Sequence, residues 1–315
     1  MIYMLLIEIV KNYIRVTERL QHRFWNKNLV LKNGILNLRK RQMLLLTPKW
    51  KFCKLSVGEE VDRMQGNYIF HVHTRRCKHA SDEKDEQYIE QALRLGAKEI
   101  VFTDHAPFPD NPFTNRMDYD ELPEYVESIL KLQSVYKDCL EVHVGLEIEY
   151  LPSYQQYYRD LKQLHHIELL MIGQHHYEIK KDEYSFMMED KKLEHIGLVN
   201  AMLQGMDTKL FDVVAHPDRV FRRVKVWTPE LTSLSEKIIH GAKDNGVYLE
   251  KNYRSYMKKN CLRDDFWNLV PETAKVVYGC DAHATRELLT GQKIAEEMKR
   301  EKNNNIAARR HKIRC

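Results

Sequence analysis

From Tyr68 onward the chain keeps one rhythm: short apolar, β-branched segments alternate with longer amphipathic ones. That is the pattern of repeated strand–helix units. The strand candidates are 68–73 (YIFHVH), 99–104 (EIVFTD), 140–150 (LEVHVGLEIEY), 169–173 (LLMIG), 211–216 (FDVVAH), 246–252 (GVYLEKN) and 275–281 (KVVYGCD). Helices are expected between them, at about 83–96, 119–137, 154–165, 190–206, 229–244, 262–270 and 285–301. The run DYDELPEYVESILKLQSVY shows why: its apolar residues recur at helical spacing behind an acidic first turn. Repeated β-α units favour a parallel sheet. Seven of them favour a closed, distorted (β/α)7 TIM-like barrel of the α/β class over an open doubly wound sheet, since such barrels use roughly 250 residues. No GxGxxG or GxxxxGK[ST] run occurs, so dinucleotide and P-loop chemistry lose their main support.

In a parallel barrel every strand opens its C-terminal end on one face, and active sites are built there. Metal-type side chains crowd these ends. His71 and His73 end the first strand, and His79 follows in the loop. His105 follows the second strand, Glu147 lies in the third, and His176 follows the fourth. His216 follows the fifth, and Asp281 and His283 follow the seventh. In HVH and DAH the two donors are two residues apart, which on a strand puts them on one face. Imidazoles and carboxylates suit Zn, Fe and Mn. The inventory exceeds what one catalytic zinc needs, so two or three divalent ions are expected. His143, His165, His166, His175 and His195 are read as structural histidines.

Hydrophobic residues make up 43% of the 315 residues and charged ones 30%, enough for a core and a soluble surface. No apolar run approaches the roughly 18 residues of a membrane span, and six cysteines without CxxC spacing read as reduced thiols. A cytoplasmic protein with no membrane partner is expected. Residues 1–66 hold 13 Lys and Arg against 5 Asp and Glu, so the remainder of this +5 chain is mildly acidic at −3. A nucleic-acid groove is not indicated. The expected division is a basic extension at 1–65, a barrel at 66–300 and a basic tail at 301–315. The extension is read as disordered or as not part of the natural protein, which would then start at or near Met64.

HVH, TDH, the Glu of GLEIEY, GQHH, AHPD and CDAH stand in the order seen in the PHP (polymerase and histidinol phosphatase) family, which this sequence resembles over roughly 66–297. The resemblance implies a distorted (β/α)7 barrel and a trinuclear phosphoesterase. Carried over by motif, His71, His73, Glu147 and Asp281 hold one ion; His79, His105 and His283 hold a second; and Glu147, His176 and His216 hold the third. At the fourth motif His175 competes with His176, and the offset from Gly173 favours His176. The run TDHAPFPDNPFTNRMDYDELPEY is similar to the corresponding loop of histidinol phosphatases. That makes Arg116 a candidate for the substrate. Arg222, in HPDRVFRR, and Asn252, at the sixth strand end, are further substrate-binding candidates, since Arg recognises phosphate bidentately.

The implied reaction is hydrolysis of a small phosphate monoester, with histidinol phosphate, in histidine biosynthesis, as the leading substrate. Asp218, Asp281 and His283 are the candidates to protonate the leaving alkoxide. A nucleotide, a sugar phosphate or phosphotyrosine is the alternative substrate; a nuclease or proofreading module and a non-catalytic metal-binding regulator are less favoured readings. A homo-oligomer is compatible with the sequence.

Overall fold

The computed structural model describes residues 66–190, 193–258 and 261–300. The basic segments 1–65 and 301–315, with the expected start near Met64, lie outside the described residues. Seven parallel strands form one sheet in the order β1 (Tyr68–Val72), β2 (Glu99–His105), β3 (Glu141–Ile148), β4 (Leu169–Ile172), β7 (Val213–Val214), β8 (Tyr248–Asn252) and β9 (Val276–Gly279). The sheet closes on itself. Cys280 N donates to Phe70 O at 2.9 Å, Ala282 N to His71 O at 3.0 Å and His73 N to Ala282 O at 2.8 Å. The expected (β/α)7 barrel is the one observed.

Six of the seven strands fall inside the expected segments, and β2 runs one residue past its expected end at 104. The helices match to within one residue: α1 (Asp85–Arg94), α2 (Leu122–Tyr136), α3 (Gln155–Gln163), α4 (Glu194–Asp207), α5 (Pro229–Asn245) and α7 (Asp264–Trp267), with 291–300 helical at the end. Two features were not expected. One is the antiparallel pair β5 (Glu178–Lys180) and β6 (Glu183–Tyr184); the other is the one-turn α6 (Tyr253–Met257). Both are too short and too polar to show a period.

Strand alternation divides the core in two. One face of each strand packs outward against the helices, as Ile69, Ile100, Phe102, Val142, Val144, Leu146, Leu170 and Ile172 do. The other fills the barrel interior with Phe70, Val101, Leu169, Met171, Val213, Ala215 and Val277. Toward the strand C-termini the inward positions stop being apolar and become ligands. Below the mouth, Arg76 joins β1's exit to two helices. Its guanidinium donates to both Asp85 oxygens at 2.9 and 3.0 Å, and to Glu124 at 2.7 and 2.9 Å. Removing one partner of such a buried pair costs about 3–5 kcal/mol, so this network anchors the loop that carries His79.

Candidate metal centre

Glu147 is the hub of the mouth. Its Oε2 lies 3.0 Å from His71 Nε2, 3.4 Å from His73 Nε2 and 3.4 Å from His105 Nδ1. Its Oε1 lies 3.0 Å from His216 Nε2 and 3.7 Å from His175 Nε2. Asp281 Oδ1 approaches His71, His73 and His283 at 3.9, 3.6 and 3.5 Å. His79 and His283 complete the cluster with their Nε2 atoms 2.7 Å apart. Of the nine expected ligands, eight converge here.

The ninth, His176, does not, and His175 stands in its place. Met171 faces the barrel interior, and a period of two puts Gly173 and His175 on that same face. Gln174, of the opposite parity, instead turns to the neighbouring backbone: it accepts from Tyr150 N and donates to Tyr150 O. His176 stacks on Phe113 at 5.2 Å between ring centres and meets Phe186 edge-on at 5.1 Å. Strand parity, read from the sequence, would have selected His175; counting from Gly173 did not. We predict that His175→Ala lowers bound metal and turnover together, whereas His176→Ala keeps the metal and raises KM. Metal content and steady-state kinetics of the two variants check this.

Three of the rim residues leave ordinary strand geometry. His71, His216 and Asp281 have φ of 69°, 33° and 55°, the left-handed region that costs a non-glycine residue about 1–2 kcal/mol. At His71 the β1–β2 register shifts between Phe70 and Val72. Phe70 and His71 can then both face inward, which simple alternation forbids. Strain concentrated at a site the surrounding barrel over-determines is a mark of function.

Supporting groups that sequence reasoning passed over fix the rings. Glu250 Oε1 accepts from His71 Nδ1 at 2.6 Å, and its Oε2 accepts from His216 N at 2.9 Å. Cys77 Sγ lies 3.3 Å from His73 Nδ1, accepts from His105 N at 3.1 Å and donates to Asp104 Oδ1 at 3.2 Å. Asp104 in turn is held by Thr74 N and Oγ1, both at 2.5 Å. Partners of this kind set imidazole tautomer and orientation in metal sites. Period-two spacing could have found Glu250, which shares a strand face with Asn252, and Glu149, which shares one with Glu147.

Of the expected substrate and acid residues, Arg116 and Arg222 line the cleft, whereas Asn252 and Asp218 do not. Arg116 is 5% exposed and clamped to both oxygens of Glu149, at 2.9 and 3.1 Å. Its donors orient that carboxylate, which reaches His175 at 3.3 Å. Asn252 is fully buried; it donates to Glu250 and Asp281 and accepts from Ser255 N. It positions carboxylates and does not line the cleft. Asp218 does not line it either. Its Oδ2 accepts from Arg263 N at 2.6 Å, and burial pushes its carboxyl up to about 6. Arg222 does line the cleft, as expected.

The electrostatics suit cations. Burial pulls His105 down to about 3 and His216 and His283 down to about 4, and it takes His73 well below its ordinary value. These rings are neutral and carry lone pairs. Burial works to raise Glu147, yet His105 and His71 beside it hold its carboxyl far below the usual range. Asp281 is likewise held well below the usual carboxylate range, against its burial, by His71 and Arg219 beside it. His71 sits above its ordinary value: burial lowers it, but Glu250 and Glu147 outweigh that.

Two observations test whether metal fits. His73 Nε2 is buried with no hydrogen-bond partner at the centre of the cluster, an arrangement folded proteins avoid. His79 Nδ1 and His283 Nδ1 face backbone carbonyls at 2.6 and 3.0 Å. A carbonyl only accepts, so each Nδ1 carries the hydrogen and the two facing Nε2 atoms are both lone pairs. A shared cation answers both problems. Donor atoms of His73, His105 and His283, of His71, His73 and Glu147, and of His105, Glu147 and His175 each lie within 4.8 Å of one another.

The cluster floors a cleft of about 680 Å³. Arg219, Arg222, Arg254 and Lys258 line it, and so do Phe113, His176 and Phe186. Arg219 is engaged with Asp281 at 2.7 Å. Among the described residues, no helix is long and apolar enough to cross a membrane.

Known proteins resemble this chain in sequence and fold. The histidinol-phosphatase of Bacillus subtilis (strain 168) is 35% identical over 92 residues, 27% of this chain and 34% of that protein. A Deinococcus radiodurans protein named "Probable histidinol-phosphatase" is 31% identical over 164 residues, 49% of this chain and 62% of that protein. The matches thus span less than two thirds of either relative. Among solved structures, histidinol phosphate phosphatase from Lactococcus lactis, complexed with Zn, L-histidinol and phosphate, superimposes with a TM-score of 0.56 at 19% identity. It covers 74% of this chain and 91% of that one, a likeness of fold. The model of the PHP domain matches residues 70–254. With more than half its length matched and the family's donor motifs gathered at one barrel mouth, the chain belongs to the PHP domain family.

Proposed function

We propose that this chain hydrolyses L-histidinol phosphate to L-histidinol and phosphate, a step of histidine biosynthesis, with two or three divalent ions of the Zn, Mn or Fe kind. One observation carries the reading: a multi-histidine, carboxylate-bridged donor cluster shares its cleft with cationic side chains. His71, His73, Glu147 and Asp281 would hold one ion, His79, His105 and His283 another, and Glu147, His175 and His216 the third. When bound, such ions polarise a phosphoryl group and lower the pKa of water from about 15.7 toward about 7.

The chain's own residues do the rest. Arg222, Arg254 and Lys258 offer positive charge to the phosphoryl oxygens, whose charge grows toward the transition state. Arg219 keeps Asp281 ionised and fixed. Glu250 and Cys77 hold His71 and His73 with their Nε2 atoms toward Glu147. Phe113, His176 and Phe186 present aromatic surface in the same cleft. A ligand that carries both a phosphate and a flat ring matches that lining. The relatives named for histidinol phosphate support the substrate.

The test is a panel of histidinol phosphate, AMP, a phosphotyrosine peptide and single-stranded DNA, run on protein reloaded with Zn, Mn or Fe. Histidinol phosphate is expected to show the highest kcat/KM by at least about tenfold, or 1.4 kcal/mol. Preferential cleavage of DNA, or no turnover of histidinol phosphate with any of the three metals, would overturn the proposal.

A further inference from the structure

A second group of metal-type side chains lies at the opposite end of the barrel from the cleft. Glu99 opens β2 and Glu141 opens β3, and the two are register partners. His143 follows Glu141 by two residues on β3, paired with Val101 of β2. Glu168 immediately precedes β4. The four-residue step from His143 to Glu147 separates the two clusters by roughly 13 Å of extended chain, so no side chain is shared.

His143 is the telling member. Its side chain is 10% exposed. Nδ1 lies 2.7 Å from Glu168 Oε2. A carboxylate only accepts, so Nδ1 carries the hydrogen. Gln133 of α2 braces the arrangement, donating to Glu168 Oε1 at 3.0 Å and to Val142 O at 2.7 Å. The other ring nitrogen, Nε2, is buried with no hydrogen-bond partner. It points between two carboxylates, 3.5 Å from Glu99 Oε1 and 3.9 Å from Glu141 Oε2. Neither Glu99 nor Glu141 pairs with any Lys or Arg among the described residues; His143 is their shared partner.

A carboxylate holding one nitrogen while the other faces further carboxylates is the outer-shell pattern of a metal-binding histidine. We propose that His143 Nε2, Glu99 and Glu141 bind a divalent transition ion of the zinc type, with Glu168 as the group that sets the tautomer. One imidazole and two carboxylates suit such an ion. The site stands apart from catalysis and does not rest on the proposed substrate. Its ion ties the N-terminal ends of β2 and β3 together at a point where three acidic groups otherwise repel.

Zinc stoichiometry on the full chain tests this. Protein stripped by a chelator is titrated with Zn²⁺ alone, and bound zinc per chain is counted by elemental mass spectrometry after gel filtration. Wild type is expected to bind one ion more than His143→Ala, with turnover equal within about twofold. If His143→Ala fails to fold, Glu141→Gln replaces it. Glu141 is 77% exposed, so that variant leaves the core intact and is expected to weaken the extra zinc by at least tenfold. The imidazole ¹⁵N signals of His143 provide a second readout: zinc is expected to shift Nε2 and leave Nδ1 bonded to Glu168. Equal zinc counts in wild type and variants, or a His143 ring that only takes up a proton and ignores Zn²⁺, would overturn the proposal.

Discussion

Glu147→Gln is expected to empty the mouth of its metal and remove nearly all turnover, while the barrel stays folded. Both oxygens of Glu147 face imidazoles, three at Oε2 and two at Oε1, between 3.0 and 3.7 Å. Glutamine keeps the volume but replaces one acceptor oxygen with an NH₂ donor and removes the charge. An NH₂ aimed at a neutral ring nitrogen forms a hydrogen bond where a cation needs a lone pair. Five rings that share one anion lose it together. Changing an outer-shell partner of a metal ligand lowers affinity about 10–100-fold. Loss of a shared ligand exceeds that, so metal affinity and kcat are both expected to fall by more than about a hundredfold. Zinc affinity measured by chelator competition, alongside kcat, checks this. A Glu147→Gln protein that retained full metal and more than a tenth of wild-type turnover would remove Glu147 from the hub.

The barrel was legible because its signal is physical and local. Strands such as EIVFTD and LLMIG are apolar because both faces are covered, and a parallel barrel needs that everywhere. The convergence of donors was legible for the same reason, since all strand ends share one mouth. What escaped was how each side chain is aimed. His175 and His176 are adjacent and chemically identical, and only parity from Met171 separates them. Glu149, Glu250 and Cys77 carry no motif of their own; their roles come from rings brought close by closure of the sheet. Arg116 lines the cleft, but its bond to Glu149, 33 residues away, exists only in the fold. The left-handed turns at His71, His216 and Asp281 have no sequence signature, since left-handed backbone is ordinarily a glycine trait. The β5–β6 hairpin, which brings Phe186 toward His176, is too short to leave a period.

Gly173→Ala carries the second large effect, and it arises from a hydrogen atom's worth of space. A Cβ at position 173 would lie 2.2 Å from Glu147 Oε1, 2.4 Å from its Cγ and 2.6 Å from its Cδ. Real Cβ atoms essentially never come that close, so either Glu147 or β4 must move. Glu147 is buried and surrounded by five rings, and β4 is hydrogen-bonded between β3 and β7. The carboxylate is the lighter element to displace. Overpacking of this kind destabilises by about 1–3 kcal/mol, which a barrel of this size tolerates, whereas a misplacement near 1 Å at a reacting centre can lower the rate about a hundredfold. The expected result is a folded protein with a modestly lower Tm, reduced metal content and kcat down by about two orders of magnitude. Gly96→Ala is the control. Gly96 has φ of 73° with nothing within 4 Å of an added Cβ, so alanine there strains the backbone by about 1 kcal/mol and leaves the mouth untouched. The two variants should therefore lose similar stability and differ in activity. Matching kcat values for Gly96→Ala and Gly173→Ala would show that β4 yields in place of Glu147, and that the empty side of Gly173 is not what holds the hub in register.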